Sequence, residues 1–365
     1  MQHKSLILKT CRLILLVPLP VFLCACSTLG YYSQSVRGQL SLMSKRVAIQ
    51  NIIEDKNTPD QQRAMLKNIL SIRRFASKRL LLPDNKSYTT YVDLKQKYVI
   101  WNVFAAPEFS LTPISSCFLI VGCLQYKGFF ARQDALEFAH KLRESHNDVY
   151  VGGVSAYSTL GWFDDPILSS MLTYGKFRLA EVIFHELAHQ LIYIKDDSEF
   201  NEAFATAVSK VGVQRWLYES HREADLDKFE RSKQWEYQFI QLILNTRKQL
   251  EILYGSDLDP AHMRIKKTEI FGELRSNYYA LKASWDNPPD YDQWVDQDLN
   301  NAKIASVITY YDLTKSFTTL LSLSNNDLAL FYRRVHFLGS LSKKDRHECL
   351  QSLIDRKTNI TRCFY

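Results

Sequence analysis

The sequence lacks the marks of several protein classes. It contains no internal repeat and no low-complexity tract. Its lysines and arginines do not form a long stripe interleaved with aromatic residues, as a groove that follows nucleic-acid phosphates requires. The formal net charge of +7 falls to +4 without Lys4, Lys9 and Arg12, which lie in an amino-terminal segment free of acidic residues. We therefore expect no nucleic-acid partner.

The residues that are present suit a packed protein. The chain has 365 residues, of which 46% are hydrophobic, and it is rich in tyrosine and phenylalanine, with 20 of each. Such a chain is long enough for one large domain or two smaller ones. Wholesale disorder is therefore not expected.

The first residues predict a targeting segment. Lys4, Lys9 and Arg12 form a positive n-region, followed by an apolar stretch over residues 13–23. This stretch is too short, and too interrupted by prolines, to span a bilayer as a helix. We interpret it as the apolar region of a signal peptide.

A lipidation motif follows this stretch. The sequence Leu23-Cys24-Ala25-Cys26 resembles a bacterial lipobox, in which cleavage precedes the cysteine that carries the lipid. We expect a signal peptide over residues 1–25 and a lipid anchor on Cys26, which would tether the chain to a membrane without spanning it. Ser27 favours the outer membrane and a periplasmic location, by resemblance to the sorting rules of such lipoproteins. The alternative is an ordinary signal peptide that is cut nearby.

Four further cysteines fit an exported protein. They are Cys117, Cys123, Cys349 and Cys363, an even number that suits a compartment in which disulfides persist. None of them has the spacing of a zinc finger. Our hypothesis pairs Cys117 with Cys123 and Cys349 with Cys363, and the alternative is four free thiols in the core.

The pattern of apolar residues predicts an α+β fold, in which a small mixed or antiparallel sheet packs on a mainly helical body. Helices are predicted for residues 36–82, for 132–144 and for most of the chain from Leu179 onward, and strands for residues 98–104, 118–121 and 148–151. We divide the chain after the signal peptide into an amino-terminal helical region (26–97), a catalytic core with the sheet (98–220) and a carboxy-terminal helical region (221–365).

The heptapeptide Phe184-His185-Glu186-Leu187-Ala188-His189-Gln190 has the residue types of a metal site. On a helix, His185 and His189 share one face, so both imidazoles can reach one metal ion. Glu186 then lies beside the open coordination position of a catalytic zinc, where a carboxylate can take the proton of a water that attacks a carbonyl. The pattern predicts a zinc ion with Glu186 as the general base. Two histidines that are merely hydrogen-bonded are the alternative.

A third ligand is expected at the start of the next predicted helix. Asp196 and Glu199 have the spacing of a capping box, which gives Glu199 a structural role. Glu202, one turn further on, lies in an Asn-Glu-Ala sequence that resembles the one carrying the glutamate ligand in thermolysin-like and related gluzincins. We therefore expect Glu202 to be the third ligand, reached through a tight loop, with Glu199 as the alternative. Glu181 and Asp197 are candidates to support a histidine, and the alternative for both is a solvated charge at a helix end.

Longer segments resemble the bacterial family of predicted zinc aminopeptidase lipoproteins. These segments are residues 101–107, residues 156–166, the helix of His185 and the sequence Phe200-Asn201-Glu202. The resemblance extends from Cys26 to near the carboxyl terminus. It implies a gluzincin-like metallopeptidase, a zinc ion and a peptide substrate.

The gluzincin resemblance also suggests substrate contacts. In gluzincins an edge strand before the metal helix pairs with the peptide backbone, and residues 149–157 stand in the right order for this. In gluzincins a tyrosine or histidine often donates a hydrogen bond to the oxyanion. One of Tyr310 and Tyr311 is a candidate for this role, and we select Tyr310; aromatic core packing is the alternative. Asp164 and Asp165 are candidates to meet the free amine of a substrate, and a simple turn before Pro166 is the alternative.

These patterns predict a lipid-anchored zinc peptidase that removes amino-terminal residues from peptides. One alternative is an endopeptidase or quality-control protease of the cell envelope. Another is a nonenzymatic envelope protein that keeps zinc for stability, although such a site has no use for a base such as Glu186 beside an open coordination position.

Overall fold

The computed structural model describes residues 18–118, 122–286, 289, 291–308, 313–355 and 363. The chain forms two compact units, Met1–Arg46 and Val47–Tyr365. In the first unit the described residues form helix α1 (Pro18–Ser44), which contains position 26. None of the described helices combines the length and the apolar character needed to cross a membrane. The signal peptide and the lipid anchor on Cys26 stay predictions.

The second unit begins with a short strand and two helices. Strand β1 (Val47–Ala48) leads into α2 (Ile49–Glu54), and α3 (Asp60–Arg79) follows. Along α3, buried apolar residues recur at helical spacing and turn one face to the core: Leu66, Ile69, Ile72 and Ala76. The region 36–82, predicted to be helical, is helical over most of its length and is interrupted by β1, which pairs with strand β2 (Thr90–Val92).

Among the described residues, three small sheets are present instead of the single sheet predicted. The remaining strands, with the helix between them, are β3 (Ile100–Pro107), β4 (Ser116–Phe118), β5 (Gly122–Leu124), β6 (Lys127–Phe129), α4 (Arg132–Glu144), β7 (Asn147–Val154) and β8 (Ile167–Leu168). The largest sheet is antiparallel with the order β6-β3-β7, a mixed sheet has the order β1-β2-β8, and β4 and β5 form a hairpin. β7 is therefore an edge strand of the antiparallel sheet as described.

Two sequence-based strand predictions fall within this sheet, and one does not. The predicted strands at 98–104 and 148–151 overlap β3 and β7, and α4 has the predicted bounds 132–144. The strand predicted for 118–121 overlaps only the last residue of β4, and its other residues lie outside the described part of the chain.

Helices α5 (Lys176–Leu191) and α6 (Ser198–Glu219) pack closely against each other at the centre of the second unit. Their contact depends on Gly212 of α6. A Cβ atom there would lie 2.8 Å from Phe184 Cδ2 and 2.8 Å from Leu80 Cδ1, which is closer than carbon atoms can approach. The missing side chain lets the ring of Phe184 lie directly on the backbone of α6.

Seven more helices complete the described residues of the second unit: α7 (Glu223–Tyr254), α8 (Pro260–Ala283), α9 (Asp292–Asp296), α10 (Asn301–Ile308), α11 (Thr314–Leu323), α12 (Leu328–Ser340) and α13 (Lys343–Ile354). The long helices α7 and α8 pack side by side and bury an aromatic-rich cluster that includes Phe239, Phe271 and Tyr278. Helices surrounding small sheets confirm the predicted α+β fold.

Disulfides join cysteines that are near each other in the sequence. Cys117 and Cys123 close the β4–β5 hairpin with their Sγ atoms 2.00 Å apart. Cys349 of α13 is joined to Cys363, with a distance of 2.12 Å between the Sγ atoms.

Candidate metal centre

The site begins on α5, where apolar residues fix the orientation of the helix. Leu179, Ile183 and Leu187 are buried, so the opposite side of the last turns is left for polar groups. His185 and His189 lie there with their ring centroids 4.7 Å apart and their Nε2 atoms 3.1 Å apart. Their side chains are 19% and 6% exposed, so both rings lie largely out of water.

Helix α6 brings Glu202 to the same point. Glu202 Oε2 lies 3.1 Å from His185 Nε2 and 3.5 Å from His189 Nε2. The tight connection between the two helices is held by Asn201, whose side-chain amide accepts from Ile194 N and donates to Ile194 O, each at 2.7 Å. This closed ring of two bonds places the first turn of α6 beside the end of α5.

Burial and neighbouring charges shift the pKa values of these side chains in opposite directions. Burial favours the neutral form of Glu202, but His189 and His185 outweigh it and hold its pKa well below the usual value. Burial likewise favours the neutral form of His189, and the charge of Glu202 outweighs it and raises the pKa of that imidazole. The carboxylate of Glu202 is therefore ionised in the folded protein.

The three side chains have the chemistry and spacing of a zinc site. His185, His189 and Glu202 each offer one ligand atom, and these atoms all lie within 4.8 Å of one another. In a tetrahedral zinc site with bonds of about 2.0–2.1 Å, neighbouring ligand atoms are about 3.3 Å apart. The distances here of 3.1, 3.1 and 3.5 Å fit that geometry without rearrangement of the helices.

Glu186 lies next to His185 on α5 and is only partly buried. Its charge acts on two buried groups, Asp165 and Tyr88. Burial, together with the charge of Glu186 and against the effect of hydrogen bonds from Thr159, raises the pKa of Asp165 to about 6. Burial also raises the pKa of Tyr88, and Glu186 is the charged group that adds most to this shift. Glu186 thus interacts electrostatically with a buried carboxyl group and a buried phenol.

Comparison with known proteins assigns a family. The family model described as "Putative aminopeptidase" matches residues 30–350. The chain belongs to this family. Neither the curated proteins nor the solved structures contain a match to it. Membership supports a peptidase-like hydrolase that acts on peptides.

In this family member, the expected support for the histidines comes from neither Glu181 nor Asp197. Glu181 instead forms ion pairs with Arg178, at 2.9 Å, and with Lys233. Asp197 accepts from Arg346 Nε at 2.9 Å and from His347 Nε2 at 2.9 Å. Neither candidate supports a histidine, because Arg178 and Lys233 hold the carboxylate of Glu181. The carboxylate of Asp197 is held by two partners distant in sequence, Arg346 and His347. Among the described residues, no group accepts a hydrogen bond from His189 Nδ1, which is buried.

The predicted capping box was wrong by one residue. Asp197, not Asp196, caps α6 by accepting from Phe200 N at 3.3 Å. Asp196 adopts a positive φ of 63° and accepts instead from Cys123 N at 2.9 Å. Glu199 lies outside the three-residue cluster, and its Oε2 is 3.7 Å from His347 Nδ1.

The candidates for substrate contact have different outcomes. Tyr310 lies outside the described residues, so its role as an oxyanion donor stays a prediction. Asp165 is 1% exposed, and its carboxylate accepts from Thr159 N and Thr159 Oγ1, each at 2.9 Å. It is therefore not available to a substrate amine, and the alternative of a structured turn is correct for this residue.

Sequence reasoning missed a polar network beside the site. Gln190 Oε1 accepts from Asn85 Nδ2 at 2.8 Å, and Gln190 Nε2 donates to Ser87 Oγ at 3.3 Å. Ser87 Oγ in turn accepts from Asp165 N at 3.3 Å. The Pro83-Asp84-Asn85 breaker was visible in the sequence, but a turn pattern does not indicate which distant helix the turn contacts.

Proposed function

We propose that the chain is a zinc-dependent aminopeptidase, which hydrolyses the amino-terminal residues of peptides. The observation that carries this proposal is the convergence of His185, His189 and Glu202 at zinc-like spacing, with Glu186 directly beside His185. The family supports hydrolysis of peptides, and the donor set supports the metal.

The residues of the site divide into two roles. His185, His189 and Glu202 would hold the ion, and zinc would supply an acidified water and a polarised substrate carbonyl when bound. The carboxylate of Glu186 would take a proton from the attacking water at one oxygen and pass it to the departing amine. Its partial burial leaves the carboxylate within reach of a substrate.

Strand β7 offers a place for the peptide backbone. In the antiparallel pairing of β7 with β3, the backbone groups of Val151 and Gly153 face away from β3. Asn300 Nδ2 donates to Val149 O at 3.2 Å and so occupies the first outward position of this edge. An extended peptide that adds to the edge at Val151 and Gly153 would gain backbone hydrogen bonds, as in other cases of strand addition.

The location of the enzyme follows from the amino-terminal motif. We infer a signal peptide, a lipid on Cys26 and a periplasmic site, with the outer membrane favoured. The Cys117–Cys123 and Cys349–Cys363 disulfides support an oxidising compartment.

An endopeptidase of the cell envelope is the second candidate. The observation that favours it is the burial of Asp165, which removes one of the two carboxylates expected to meet a free substrate amine. Aminopeptidases need such a contact, whereas endopeptidases do not.

The test compares the purified wild type with Glu186→Gln. We expect both to bind about one zinc per chain, measured by elemental analysis, and only the wild type to cleave peptides. Acetylation of the peptide amine separates the two candidates, since only an aminopeptidase should lose activity. Absence of zinc from both proteins after incubation with the metal would overturn the proposal.

A further inference from the structure

The loop between β7 and β8 presents two adjacent aromatic side chains to solvent. Trp162 is 68% exposed and Phe163 is 49% exposed. Two large aromatic residues side by side on a surface bury their apolar area when they bind a partner, and such residues dominate the energy of many contacts. The position of this pair indicates what it binds.

Hydrogen bonds within the loop fix the backbone that carries the pair. The buried carboxylate of Asp165 accepts from Thr159 N and Thr159 Oγ1, and Ser158 Oγ donates to it at 3.3 Å. Thr159 also binds the other side of the turn, where its Oγ1 accepts from Phe163 N at 3.0 Å and its carbonyl accepts from Trp162 N at 3.1 Å. The backbone of the aromatic pair is thus held in place before any ligand arrives, which lowers the entropy lost on binding.

The same loop rests on the helix that carries the metal ligands. Gly161 has a positive φ of 85°, and a Cβ atom at this position would lie 3.5 Å from Gln190 Cγ. Gln190 directly follows His189 and is one helical turn after Glu186, on the same face of α5. Trp162 and Phe163 follow Gly161 directly in the chain, so the aromatic pair begins next to the contact of this loop with the helix that carries Glu186.

We propose that Trp162 and Phe163 form an apolar subsite that binds a large apolar side chain of the peptide substrate next to the scissile bond. This inference rests on the proposed function and adds a substrate class, peptides with residues such as leucine or phenylalanine at that position. A membrane surface is the less suitable occupant, because residues 155–166 contain two aspartates and no lysine or arginine, and anionic headgroups attract basic segments.

The selectivity of the enzyme should follow from this pair. Removing two aromatic walls from an apolar subsite should lower kcat/KM for a leucine or phenylalanine peptide by about 10- to 100-fold, while an alanine peptide should change by less than about 3-fold. Both side chains are largely exposed, so their removal should leave the fold intact.

The experiment compares wild type, Trp162→Ala/Phe163→Ala and Tyr237→Ala, the last a matched control that removes an aromatic side chain 60% exposed on α7. Two peptides that differ only in leucine or alanine beside the cleaved bond are assayed for kcat/KM. Binding of the same peptides is measured by calorimetry with Glu186→Gln as the background, so that affinity is read without turnover. We expect the double variant to lose kcat/KM and affinity for the leucine peptide but not for the alanine peptide. Tyr237→Ala should show no such selective loss.

Other results overturn the subsite. An equal effect on both peptides, or none, would show that the pair does not select the substrate, even if zinc-dependent cleavage stands. If the double variant loses binding to anionic phospholipid vesicles without a change in selectivity, the pair binds a membrane instead. If the mass of the double variant measured by sedimentation differs from that of the wild type, the pair binds a second copy of the chain. If the wild type cleaves no peptide, the proposed function fails, but the subsite is still tested by the binding assay. Unchanged affinity of the double variant for the leucine peptide would reject the subsite.

Discussion

Replacing Asp197 with alanine should strongly destabilise the second unit. The buried carboxylate accepts from Arg346 Nε at 2.9 Å and from His347 Nε2 at 2.9 Å, and it caps α6 through Phe200 N. Loss of a helix cap costs about 1 kcal/mol. Arg346, whose side chain is 5% exposed, would lose its carboxylate, and breaking a buried pair in this way costs about 3–5 kcal/mol. Together these losses lead us to expect that the free energy of unfolding falls by about 4–6 kcal/mol.

Urea unfolding followed by circular dichroism measures this loss. Glu219→Gln is the matched control, because Glu219 also pairs with an arginine, Arg79 Nε at 2.6 Å, but at a more exposed position. The control should change the unfolding midpoint little. Since α6 carries Glu202, the zinc content of folded Asp197→Ala should also fall below that of the control.

A second substitution tests the reason for the loss. If an unpaired guanidinium destabilises Asp197→Ala, removing it in Asp197→Ala/Arg346→Met should restore part of the stability. A double variant no more stable than Asp197→Ala would refute the argument from a buried charge.

Three further predictions concern the loop, the helix contact and the third ligand. The pKa of Asp165 is raised to about 6 from 3.8, so its contribution to stability is complete below pH 3.8 and is lost as pH rises through about 6. We therefore compare the melting temperature of metal-free Asp165→Asn with that of the metal-free wild type at two pH values. The melting temperature of the variant minus that of the wild type should be larger near pH 8 than near pH 4. A difference that does not vary with pH contradicts this prediction. Gly212→Ala should lower the free energy of unfolding by about 1–3 kcal/mol through overpacking against Phe184, whereas Gly272→Ala, with open space at its Cβ, should not; equal melting curves would contradict the steric argument. Glu202→Gln should keep its circular dichroism spectrum but lower zinc affinity at least about 10-fold in competition with a chelator, and unchanged affinity would exclude Glu202 as a ligand.

The sequence predicts best where the structure depends on local spacing. The bounds of α4 and the shared face of His185 and His189 both follow from helical periodicity. The position of Glu202 beside them also follows from a short motif, because the connection between α5 and α6 is too short to allow many paths.

Prediction fails where two neighbouring residues satisfy one pattern or where the partner is distant. Asp196 and Asp197 are both suitable caps, and only the three-dimensional contacts with Cys123 and Arg346 assign them their roles. Glu181 has the right helical position to support His185, but Lys233 from another helix pairs with it. β1 is missed because a strand of two residues has no periodicity to detect.

The ion cluster at Asp197 also orders events during synthesis. Its partners Arg346 and His347 follow it along the chain by 149 and 150 residues. A chain made from its amino terminus therefore completes His185, His189 and Glu202 long before the cap of α6 meets its partners. In the proposed peptidase, His185, His189 and Glu202 would therefore be held loosely until α13 has been made and has docked, which would delay the start of peptide hydrolysis.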